Sequence, residues 1–243
     1  MSGGRGAELA GRLAVVRGRI AAACAAVGRD PGGIELVAVT KTVPAADVAA
    51  LLDLGLTAFA ENRAQEAAAK VAKVAALRPD RAPRWHFVGS LQRNKVRQVL
   101  GWVARVESVD SVRLADALDV AARRDGDRGI RDGPLPVLIQ LSVDGDPHRG
   151  GVPAAGLDAL AAHVAQLTGL RLDGLMAVAP LDADPDAAFA AAAAAVVHLR
   201  TSYPHASTLS AGMSGDLEVA IRHGSTVVRV GTALVGERRI ASP

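Results

Sequence analysis

The sequence predicts an α/β fold: one closed (β/α)8 TIM barrel with an extra helix ahead of it. Three observations carry that prediction. Short β-branched and apolar runs alternate with helical runs eight times along the chain, a rhythm that implies parallel pairing through right-handed crossovers. The turn after the opening strand reads Thr40-Lys41-Thr42-Val43-Pro44 and not Gly-x-Gly-x-x-Gly, which removes the signature of an open dinucleotide-binding sheet. Finally, 243 residues suit one barrel and leave too little chain for a second domain of normal size. Residues 1–243 therefore read as one domain.

In order, residues 6–27 place Leu9, Leu13, Val16 and Ile20 at helical spacing, with Gly28 as the stop. This is the flanking helix. Ile34 to Thr42 is the first strand with its turn, and Pro44 suits the first position of a helix carrying Val48, Leu51 and Leu52 up to Gly55. Thr57–Asn62 is the second strand and Arg63–Ala76 a helix; Trp85–Ser90 is the third strand and Leu91–Leu100 a helix. Val103–Val109 is the fourth, followed by a helix to Ala122 capped by Ser111. Leu135–Val143 is the fifth, Asp144–Pro153 a Gly/Pro/Asp-rich loop and Leu157–Leu167 a helix. Leu172–Ala179 is the sixth, before an alanine-rich helix that ends near Ser202. Ser207–Ser210 is the seventh, Ser214–His223 a helix, and Thr226–Val230 the eighth.

Composition narrows the function. Half of the chain is hydrophobic but only 2% is aromatic, so Ala, Val and Leu must build the core, and the composition argues against binding by base stacking. The formal net charge of +3 comes from scattered residues, which argues against a nucleic-acid or membrane patch. The longest apolar run, Ala187–Val197, is too short to span a bilayer. Arg5, Arg12, Arg17 and Arg19 interrupt any candidate signal peptide. Cys24 has no partner for an internal disulfide and the six histidines lack ligand spacing. A cytoplasmic protein without a metal site is expected.

The chemistry centres on Lys41. Side chains alternate across a strand, so Lys41 points the way Val37 and Val39 point. If that direction is the barrel interior, the amine is partly desolvated and its pKa falls towards the range in which it attacks a carbonyl. Functional groups of such barrels lie at the carboxyl ends of the strands, and phosphate often rests on the loops after the last two. Those ends carry Lys41, Asn62, His86, Ser90, Ser210, Arg229 and the pair Gly231-Thr232. The turn Ser210-Ala211-Gly212-Met213-Ser214-Gly215 reads either as a glycine turn with Ser214 capping a helix, or as a backbone and hydroxyl cradle for a phosphate. Val230-Gly231-Thr232 offers a second such turn. An aldehyde that carries a phosphate would satisfy both the lysine and the turns.

The blocks Ala38–Thr42, Glu61–Glu66, Trp85–Lys95, Gly174–Met176, Leu209–Ser214 and Gly224–Ala233 occur in one order along the chain. With them the chain resembles the pyridoxal phosphate homeostasis proteins, single-domain relatives of the barrel half of alanine racemase. That resemblance implies a protein whose cofactor is pyridoxal 5'-phosphate, carried as a Schiff base on Lys41. It also implies Ser210, Gly212, Gly231 and Thr232 near the phosphate, Arg229 facing the pyridine nitrogen, Asn62 beside the ring, and His86 and Ser214 as pocket neighbours. The family commonly has methionine where Ala211 stands and aspartate where Gly215 stands. The expected role is to hold and release the cofactor, buffering vitamin B6 and amino-acid homeostasis, as a monomer that hands it to pyridoxal-phosphate-dependent apoenzymes.

Catalysis is not expected. An arginine against the ring nitrogen opposes the protonation that makes the ring an electron sink. The racemising relatives also place a tyrosine opposite the lysine, whereas Tyr203 falls at the amino-terminal rim. A weak amino-acid racemase is the alternative, and a Schiff-base aldolase is a more distant one. A nucleic-acid surface through Arg93, Lys95 and Arg97 is disfavoured, since their spacing suits a solvated helix face.

Overall fold

Parallel strands closed into a ring position everything else in this computed structural model, which describes residues 3–146, 150–180 and 184–236. The strands are β1 (Glu35–Val39), β2 (Ala58–Glu61), β3 (Arg84–Phe87), β4 (Arg105–Val109), β5 (Leu135–Ser142), β6 (Val152–Pro153), β7 (Leu170–Ala177), β8 (Thr208–Ser210) and β9 (Val227–Val230). They pair in the order β4-β3-β2-β1-β9-β8-β7-β5, and a β4–β5 ladder closes the circle. The eight-stranded barrel is thus present. The short β6 is an addition, hanging beside β5 through Leu141↔Val152 and Ser142↔Pro153. It forms inside the expected loop over residues 144–153, where two residues are too few to show a period and Pro153 signals a turn. Residues 147–149 of that loop lie outside the described residues.

The helices are α1 (Gly3–Ala26), α2 (Ala45–Asp53), α3 (Ala64–Leu77), α4 (Val96–Leu100), α5 (Val112–Asp127), α6 (Leu157–Ala165), α7 (Pro185–Ser202), α8 (Leu217–Arg222) and α9 (Thr232–Val235). Alternation sorts the strand residues into two layers. Val37, Val39, Ala58, Ala60 and Val227 meet inside the ring, where their small size suits its narrow bore. Ala38, Phe59, Trp85, Val228 and Val230 face outward beneath helices, with the Phe59 and Trp85 rings 5.5 Å apart. Helix α1 buries Leu9, Leu13, Val16, Ile20 and Cys24 on that outer layer. At roughly 1.5–3 kcal/mol per large apolar side chain, this stripe is a structural seam.

Three boundaries differ from the sequence reading for physical reasons. Pro44 stands at the cap position of α2, one residue before the first helical position. The expected helix over residues 91–100 begins as a 3-10 turn at Arg93–Lys95 before α4 takes over. Ser111 does stand at the cap position of α5, but its hydroxyl donates to Asp110 at 3.1 Å and makes no bond to the helix. Among the described residues no helix is long and apolar enough to cross a membrane.

Candidate functional site

The carboxyl ends of the strands open at one mouth, and Lys41 stands on its rim. The β1–β2 ladder runs to Val39↔Ala60. Thr40 then spends its backbone N–H on the Ala60 carbonyl, 3.0 Å away, and its hydroxyl on Glu61 Oε1, 2.7 Å away. Lys70, reaching from α3, donates to the Thr40 carbonyl and, at 2.6 Å, to Glu61 Oε1. This buried clasp fixes the residue just before Lys41. Beyond it the chain turns, with Thr42 at φ +66°, the one non-glycine among the described residues with positive φ. A β-branched side chain in that region costs about 1–2 kcal/mol. Lys41 itself is exposed. The expected burial of its amine against the valines is therefore corrected: the ladder stops two residues short, and Lys41 projects from a turn.

Within the barrel, three of the expected site residues converge on one that sequence reasoning missed. Glu107, on β4, is completely buried. His86 Nδ1 lies 2.7 Å from its Oε1, and the Ser210 hydroxyl donates to its Oε2 at 2.6 Å. Arg229 Nη1 donates to the Ser210 oxygen at 2.6 Å and stands 4.0 Å from Glu107 Oε2, while Nη2 donates to the Ala177 carbonyl at 2.9 Å. Burial would raise the Glu107 pKa, but the His86 hydrogen bond and charge, then Arg229 and Ser210, outweigh it and hold the carboxyl at about 2. An ionised carboxylate only accepts, so His86 Nδ1 carries a proton towards it. Burial pushes Arg229 below its ordinary value, opposed by the charges of Glu107 and Asp216. Ser210, expected near a phosphate, has its hydroxyl committed on both sides within this chain of bonds. The available signal was a carboxylate in the middle of Arg105-Val106-Glu107-Ser108-Val109, on the same face as Arg105 and Val109.

The turns after β8 and β9 do come together. The Ser214 hydroxyl accepts from the Ala233 N–H at 3.2 Å, tying one turn to the other. Ser214 does not cap α8; that helix starts at Leu217, and Asp216 Oδ1 accepts the Met213 N–H at 2.5 Å. Gly212 has φ +92°, and a Cβ there would lie 2.6 Å from that of Ala220, so the turn admits only glycine. Gly231 lies against β1: its ideal Cβ position is 3.6 Å from both the Cβ and the carbonyl oxygen of Val39, two residues before Lys41. Ser214, Gly215, Thr232 and Ala233 line an open cleft together with Arg12 of α1. Uncharged small residues, turn backbone and one guanidinium form a donor set that suits a phosphate.

Asn62 follows β2, and a Cβ on Gly89 would come within 2.2 Å of its carbonyl oxygen, so Gly89 is required by that close approach. A separate cavity of about 540 Å³ occupies the β4–β5–β7 side of the mouth, lined by Ser90, Asp110, Gln140, Ser142 and Met176 among others. Ser90 belongs there and not to the glycine turns. Tyr203 ends α7, before β8 begins, on the amino-terminal side of the barrel.

Comparison with known proteins places this geometry. The alanine racemase N-terminal domain family matches residues 16–239. The pyridoxal phosphate homeostasis protein of Mycobacterium tuberculosis (strain ATCC 25618 / H37Rv) is 48% identical over 251 residues, covering 98% of this chain and 96% of the relative. The chain belongs to the pyridoxal phosphate homeostasis protein family. The Escherichia coli (strain K12) member is 42% identical over 95% of the chain and 97% of its own length. Among solved structures, PipY of Synechococcus elongatus PCC7942, with PLP bound, superposes at TM-score 0.77 with 32% identity, over 94% of this chain and all of that one. Alanine racemase from Corynebacterium glutamicum shares the fold alone, at TM-score 0.69 and 15% identity, with 98% of this chain matching 62% of the enzyme.

Proposed function

We propose that this family member binds pyridoxal 5'-phosphate through Lys41 and holds it for release, without turning over substrates. The observation that carries the reading is the juxtaposition at the mouth: the turn bearing Lys41 packs through Val39 on Gly231, whose own turn is bonded to Ser214. An amine and a pair of phosphate-suited turns thus share one rim. PipY with PLP bound, and the names of the homeostasis relatives, support the same ligand.

Each residue has a task in this reading. Lys41, free of the barrel packing, would hold the aldehyde through its amine, with loss of water. Gly212, Ser214, Gly231 and Thr232 receive the phosphate, with Asn62 beside the ring. When bound, pyridoxal phosphate offers an electron sink whose strength depends on a protonated ring nitrogen. Arg229 keeps its proton and sets a cation on that side of the site, while Glu107 holds both Arg229 and His86 in fixed positions. Tyr203 lies on the opposite end of the barrel from Lys41, so no tyrosine faces the amine. This supports storage over racemisation, in a cytoplasmic single-domain protein that passes its cargo to apoenzymes.

The test is solvent exchange. Purified protein loaded with pyridoxal phosphate and incubated with L-alanine in deuterated water leaves the α-proton in place, yet transfers the cofactor to a pyridoxal-phosphate-dependent apoenzyme. Deuterium incorporation that disappears in Lys41→Ala would establish an enzyme instead.

A further inference from the structure

Helix α1 carries arginines at positions 5, 12 and 19, a seven-residue spacing that puts them on one face. That face looks onto the two glycine turns. Arg5 is bound to Asp47 and Glu8 and donates to the Val235 carbonyl, at 2.7, 2.8 and 2.9 Å. Arg19 is bound to Glu218 at 2.6 Å and donates to the Ser214 carbonyl at 2.9 Å. Both outer arginines are therefore consumed in clamping the turns. The middle one is not. Arg12 uses only Nε, on Glu8 Oε1 at 3.0 Å, and its Nη groups make no hydrogen bond among the described residues. It leaves 40% of its side chain exposed, and it lines the cleft with Ser214, Gly215, Thr232 and Ala233.

We propose that Arg12 is the charged partner of the phosphate in the site described above, supplied by the flanking helix and not by the barrel. The inference rests on the proposed placement of the phosphate at those turns. A phosphate monoester carries roughly −1.5 to −2 charges at neutral pH, whereas Ser214, Gly215, Thr232 and Ala233 offer only neutral donors. Arg12 brings a full positive charge and a planar pair of amino groups matched to phosphate oxygens. Among the described residues, the charged groups around it are Arg5, Glu8 and Arg19 with Glu218; the last two neutralise each other. Glu8 competes with the phosphate for Arg12, and Arg5 holds it back. Removing the Glu8 charge therefore strengthens phosphate binding.

Wild type, Arg12→Gln and Glu8→Gln are titrated with pyridoxal phosphate and with unphosphorylated pyridoxal, at low and moderate salt. Arg12→Gln is expected to bind pyridoxal phosphate roughly tenfold more weakly, with a flatter salt dependence and unchanged pyridoxal affinity. Glu8→Gln is expected to bind pyridoxal phosphate a few-fold more tightly. Equal losses for both ligands, or none for either, would overturn the role of Arg12 while leaving Lys41 untouched. A wild-type protein that fails to prefer the phosphorylated ligand would remove the placement of the phosphate itself, and the role of Arg12 with it.

Discussion

Glu107 and Lys41 are opposites, and the contrast separates stability from function. The Glu107 carboxylate is completely buried between His86, Ser210 and Arg229. Its pKa of about 2 lies below the ordinary value of 4.5, so its stabilisation is fully present above pH 4.5 and is lost as the pH falls towards 2. The linkage is worth on the order of 3 kcal/mol. Urea denaturation should show Glu107→Gln less stable by about 3–5 kcal/mol at pH 7, because it leaves the Arg229 charge uncompensated. The gap between variant and wild type should narrow by pH 3. Lys41 is exposed, so Lys41→Ala should change stability by less than about 0.5 kcal/mol while abolishing cofactor attachment.

Among elements, the β1 terminus depends on helix α3. Lys70 of α3, with its side chain 10% exposed, and Glu61, at 1%, form a buried pair that also grips Thr40. Lys70→Met should cost about 3 kcal/mol, since it strands the Glu61 charge. It should also slow condensation at Lys41, because the turn loses its anchor. Stopped-flow absorbance after mixing with pyridoxal phosphate measures this, and an unchanged rate would mean the clasp is purely structural. Helix α1 has an equally plain dependence. Leu13 is 2% exposed in the seam between α1 and the barrel, and Leu13→Ala should lower stability by about 2–5 kcal/mol.

Over the whole molecule, what could be read from the chain was periodic and what could not was pairwise. Eight strands and the flanking helix follow from the alternation of strand-like and helical runs along the chain. Two-residue β6 has no period to show. The start of α8 was ambiguous because Ser214 and Asp216 are both strong cap residues with only Gly215 between them, and the choice is made by the Ala233 N–H, which claims Ser214 from another turn. Glu107 was visible as a carboxylate inside a strand, but its role depends on β3, β8 and β9 arriving at the same level of the ring. The Lys41 motif was legible, and the exposure of its amine was not: strand parity gives a direction only while the ladder lasts, and it ends at Val39.

The most direct test of the central claim is chemical capture on the intact protein. Protein loaded with pyridoxal phosphate is reduced with borohydride, digested and mapped by mass spectrometry. Attachment through Lys41 predicts loss of the visible absorbance on reduction, with the pyridoxyl mass on the peptide that contains Lys41 and on no other lysine. A stable adduct on another lysine, such as Lys70 or Lys95, with Lys41 unmodified, would contradict it.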